Sequence, residues 1–110
     1  MTEKFVTPEP LPTPYERELL TILIEEAAEV QQRATKMLRF GIHEVQPGQP
    51  HTNRERLSIE LGDLMAVITL SLEPDVDLIN AAIVENQIEK KIIKLEKFMQ
   101  SSKPEKVEDD

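Results

Sequence analysis

The chain has 110 residues, no Cys, 31% charged residues and a formal net charge of −8. One domain of this size builds a modest core and gains burial by association. The missing cysteines exclude disulfides and thiol chemistry. The acidic balance argues against a nucleic acid polymer as partner, because a basic footprint supplies most of that affinity. No apolar run approaches a membrane span and no basic-then-apolar leader opens the chain, so the expectation is a cytoplasmic protein with no membrane partner.

Residues 1–12 read as a Pro-rich extended arm, 13–100 as one all-α domain and 101–110 as a charged tail. Helix one is expected to start at Thr13-Pro14-Tyr15-Glu16, where Thr13 caps, Pro14 suits the first helical position and Glu16 completes a capping box. No Pro or Gly follows until Gly41, which ends it. At about 100° per residue, Leu19, Ile22, Leu23, Val30 and Met37 share a face, with Glu26 projecting at its centre and Glu29 beside it. A carboxylate placed there must be paired, protonated or bound to a cation.

A loop rich in Pro and Gly follows, with Pro47, Gly48 and Pro50. Thr52 and Glu55 offer a second capping box, so helix two should run from near Asn53 to about Leu72. Leu57, Leu61, Leu64 and Ile68 form its expected apolar stripe, with Glu60, Asp63 and Val67 alongside. Gly62 inside it is either a tolerated defect or a point of close approach by another helix or ligand. Helix three is expected over about Asp75 to Met99, with Pro74 at its start. Ile79, Ala82, Ile83 and Ile93 form one apolar face; Ala81, Val84, Ile88, Ile92, Leu95 and Met99 form the other. The expected architecture is an all-α antiparallel bundle of three long helices, completed as a homodimer or homotetramer because three helices cannot cover both faces. The competing cover is the N-terminal arm, through Phe5, Val6 and Leu11.

Glu26 and Glu29 are three residues apart, as are Glu60 and Asp63, so each pair projects from neighbouring turns. Packing of the first two helices through their apolar faces brings four carboxylates together. That concentration of charge calls for cations, and hard oxygen donors without His or Cys favour Mg²⁺, with Mn²⁺ as a substitute. The competing account is a non-enzymatic structural or regulatory helical oligomer whose acids form salt bridges with Arg33, Lys36 or Lys90.

Glu25-Glu26-Ala27-Ala28-Glu29 followed by Glu60-Leu61-Gly62-Asp63 resembles the paired EExxE and ExxD signature of the MazG-like all-α nucleoside triphosphate pyrophosphohydrolases, in a form similar to phage-type and small stand-alone members. Asn86 and Lys90 resemble the Asn/Lys pattern of that family's last core helix, and the likeness spans roughly residues 14–98. The resemblance implies hydrolysis of a nucleoside triphosphate to the monophosphate and pyrophosphate. Glu26, Glu29, Glu60 and Asp63 would hold the metal, and Glu29 or Glu25 would orient or deprotonate the attacking water. Asn86 and Lys90 are the first candidates for the substrate, and Arg33 and Lys36 follow because they extend from the acidic motif along helix one. There is no Gly-rich phosphate loop. His43 and His51 have no metal-ligand grouping, and Tyr15 and Phe40 are among the few aromatic candidates for a base.

Overall fold

The computed structural model describes residues 9–101 and 103, which form three helices and no strand: α1 (Pro14–Phe40), α2 (Asn53–Ser71) and α3 (Ala81–Phe98). The first eight residues of the arm, including Phe5 and Val6, lie outside the described residues, as do residue 102 and residues 104–110 of the tail. Among the described residues no helix is long and apolar enough to cross a membrane. The chain divides into two compact units, Met1–Ile79 and Asn80–Asp110.

In the first unit both capping boxes form. Thr13 Oγ1 accepts from Glu16 N at 3.2 Å while the Glu16 carboxylate accepts from Thr13 N at 2.9 Å. Thr52 and Glu55 repeat the arrangement at 3.1 and 2.9 Å. Gly41 ends α1 with φ +98°, and Gly48 in the loop has φ +79°, a region that residues with a Cβ rarely enter. Between them the loop is tied down by Asn53. Its buried side chain donates to Gly41 O (2.9 Å) and Glu44 Oε1 (3.2 Å), and its backbone N donates to Glu44 O (3.0 Å).

Among the buried and half-buried residues of α1, Glu16, Leu19, Leu23, Glu26, Val30, Arg33 and Met37 follow steps of three and four that keep one line along the helix, with Leu20, Ala27, Ala34 and Lys36 beside it. The matching line on α2 is Asn53, Leu57, Glu60, Leu64, Val67 and Ser71. This differs from the expected stripe: Leu61 is exposed, whereas Val67 is 3% exposed and Glu60 occupies the seam itself. Polar residues end the α2 line: Ser71 Oγ donates to Val67 O at 2.7 Å, and Asn53 Nδ2 donates into the loop while its Oδ1 is buried without a partner. Leu19, Val67 and Val76 form the buried core, with Leu23, Leu64 and Leu78 packed on it. Leu19 thus meets Val67, and one seam further along α1 Glu26 meets Glu60 and Asp63.

Val76 belongs to that core, which moves the start of the third helix. Helix is expected from Asp75, but residues 75–80 are irregular and α3 starts at Ala81, with Asn80 as its cap accepting from Ile83 N at 3.0 Å. Asp77 N, which a helix would leave free in its first turn, donates instead to Glu16 Oε2 at 2.8 Å. The capping glutamate of α1 thereby also fastens the segment that follows α2. In the second unit α3 has no buried residue.

Gly62 needs no close neighbour: a Cβ built there meets nothing within 4 Å. Gly62→Ala is therefore expected to stabilise the fold by about 1 kcal/mol through helix propensity. Leu19→Ala should destabilise it by about 2–5 kcal/mol, the range for a buried leucine. Urea unfolding followed by circular dichroism checks both signs.

Candidate metal centre

The seam contains an acidic break. Glu26 on α1 and Glu60 on α2 occupy adjoining seam positions, and Asp63 follows Glu60 by one turn at the exposed edge. One carboxylate oxygen from each lies within 4.8 Å of the other two. Glu26 Oε2 is buried and has no hydrogen-bond partner. Burial pushes the Glu26 carboxyl above its usual range, and the charges of Asp63, Glu60, Glu29 and Glu25 push it further.

The structure thus brings together three of the four expected metal ligands. Glu29 is exposed one turn along α1, outside that close group, although its charge acts on Glu26. Glu25 is exposed as well. Arg33 lies two turns from Glu26 in the same seam, 9% exposed, with Nη1 buried and unpartnered. Lys36 is half-buried, its ammonium 5.6 Å from the centre of the Phe40 ring, which Arg39 also approaches at 4.9 Å. Phe40 therefore serves the basic end of α1. Asn86 and Lys90 are exposed on α3, in the second unit.

Among the described residues of the first unit, neither Arg33 nor Lys36 closes an ion pair with Glu26, Glu60 or Asp63. His51 pairs with Glu55 at 3.7 Å, part of the second capping box, while His43 is exposed in the loop. Three carboxylates, one of them Glu26 with its buried, unpartnered Oε2, form a set of hard oxygen donors of the kind that holds a small divalent cation. The sequence pattern alone did not reveal Asn53 or the burial of Arg33. Asn53 sits at the first position of its helix, where a polar residue is ordinary. No protein-family model, curated protein or solved structure matches the chain.

The raised Glu26 carboxyl sets the sign of a pH effect. A folded pKa above the unfolded one contributes stability that is fully present below the ordinary carboxylate range and is lost as pH rises through the folded value. In EDTA, Glu26→Gln should therefore raise Tm at neutral pH. That advantage should shrink as the pH is lowered toward the carboxylate range, where the wild-type group is protonated. Thermal melts across pH read the difference directly.

Proposed function

We propose that the chain is a Mg²⁺-dependent nucleoside triphosphate pyrophosphohydrolase of the MazG-like type, with Mn²⁺ as a possible substitute, converting a ribo- or deoxynucleoside triphosphate and water to the monophosphate and pyrophosphate. The observation that carries this reading is the convergence of Glu26, Glu60 and Asp63 from two helices, with Glu26 Oε2 buried and unpartnered. The order and spacing of the EExxE and ExxD residues support it.

Glu26, Glu60 and Asp63 would hold the cation, and Glu29 would complete the set from the next turn. When bound, the cation neutralises charge on phosphate oxygens and acidifies a water molecule. Glu29 or Glu25 takes the proton of the attacking water as its oxygen bonds to the α-phosphorus and the bond to the pyrophosphate oxygen breaks. Arg33 offers an unspent donor for a phosphate oxygen, and Lys36 a second cation from the same helix. The resemblance implies substrate-binding roles for Asn86 and Lys90 on α3. The working unit is a cytoplasmic homodimer or homotetramer, in which the exposed apolar residues of α3 are covered.

With Mg²⁺ and each of the common nucleoside triphosphates, the expected product is pyrophosphate and not orthophosphate. Asp63→Ala and Glu29→Ala should each lower kcat at least about 100-fold with an unchanged helical circular dichroism spectrum. Inactivity of the wild type across that panel with both Mg²⁺ and Mn²⁺ removes the enzyme reading. Calorimetry with a nonhydrolysable nucleotide separates it from a salt-bridged structural oligomer, which binds no divalent ion at these acids.

A further inference from the structure

We propose that α3 pairs, parallel and in register, with α3 of a second copy of this chain. The proposal gives an orientation to the homo-oligomer described above and rests on that association. It does not depend on what the acidic cluster hydrolyses.

None of the residues of α3 is buried, and an isolated 18-residue helix is marginal in water, so this helix needs a partner. Its main apolar stripe repeats after 11 residues: Ala81, Val84 and Ile88 are followed by Ile92, Leu95 and Met99. Eleven residues at about 100° each come within about 20° of three full turns, so the stripe stays on one line over the whole helix. Ile88, Ile92, Leu95 and Met99 are 53%, 50%, 42% and 62% exposed. The stripe is also the floor of a shallow apolar groove along Val84, Ile88 and Ile92.

Charge decides what covers it. On the helical wheel Glu85, Glu89 and Glu96 flank the stripe on one side, and Lys91 and Lys94 flank it on the other. Among the described residues none of these charges is paired within α3. Glu85 with Glu89, and Lys91 with Lys94, are like-charge neighbours on the helix surface, an arrangement that weakens an isolated helix. A two-fold axis parallel to α3 sets the acidic flank of each copy against the basic flank of the other, bringing Glu85 and Glu89 alongside Lys91 and Lys94 of the second copy. An axis perpendicular to α3 sets acid against acid and lysine against lysine. The stripe accepts either direction; the flanks accept the parallel one. In that pairing Asn86 and Lys90, about 160° from Ile88 on the wheel, stay on the outer side of the pair.

The chain has no Cys, so single introduced thiols report the pairing cleanly. Val84→Cys and Leu95→Cys stand about 16 Å apart along the helix, too far to bridge one another in a parallel pair. Under mild oxidation each variant alone is expected to give a disulfide-linked dimer, and a mixture with one variant carrying a size tag should give no 84–95 crosslink. A crosslink confined to the mixture, or missing from either single variant, overturns the proposal. Without any thiol, the double variants E85K/E89K and K91E/K94E should each weaken self-association at least about tenfold, and mixing them should restore it. Charge variants that associate as well as the wild type overturn the role of the flanks. Light scattering of the wild type keeps the failures apart: a monomer at micromolar concentration removes the association itself, whatever the pyrophosphate assay shows.

Discussion

Two helices meeting along a seam must exclude water from it, and here the seam contains ionisable groups. Leu19 and Leu23 of α1 pack with Leu64 and Val67 of α2, and Val30 and Leu57 are half-buried further along the two helices. Glu26, Glu60 and Arg33 interrupt this apolar seam. The apolar residues on either side of Glu26 hold its carboxylate where water reaches it poorly, and the neighbouring acids raise the energy of its charged form. A fold that placed these acids on an outer face would relax all of that strain into solvent. The seam makes the cluster chemically demanding, and the demand is met by a proton or a cation.

Register along the seam decides whether the acids converge, and a few polar groups set it. Asn53 seals the α1–α2 loop by reaching back to Gly41 and Glu44. Arg56 adds a bond to Gln46 at 2.8 Å on the same loop. At the other end Glu16 bonds both Thr13 N and Asp77 N, which fastens the chain after α2 to the start of α1. Those bonds hold the Glu16 carboxyl below its usual range, and the accompanying stability is lost as pH falls through that lowered value. Each tie lies one to about three turns from the acids along its helix, and a slip of either end by one turn would separate Glu26 from Glu60.

The second unit follows a different logic. An amphipathic helix with no buried residue is a surface awaiting a partner, and its apolar stripe alone does not say which. The lateral separation of Glu85 and Glu89 from Lys91 and Lys94 adds the missing information, because charge carries direction where apolar contact does not.

Local chemistry made much of the fold legible in the sequence. Both capping boxes, the bounds of α1 and α2 and the stop at Gly41 depend on residues within one or two turns of each other, and they form as their side chains require. The candidate ligands Glu26, Glu60 and Asp63 were likewise visible, since helical spacing places them on known turns. Only the tertiary structure decided which line of α2 is buried, because Asn53 and Ser71 read as surface residues until α1 and the loop pack against them. It also decided that residues 75–80 are not helical. Val76 is worth more in the core with Leu19 and Val67 than in a helical turn, and Asp77 N finds Glu16, 61 residues away, a contact that no local pattern contains.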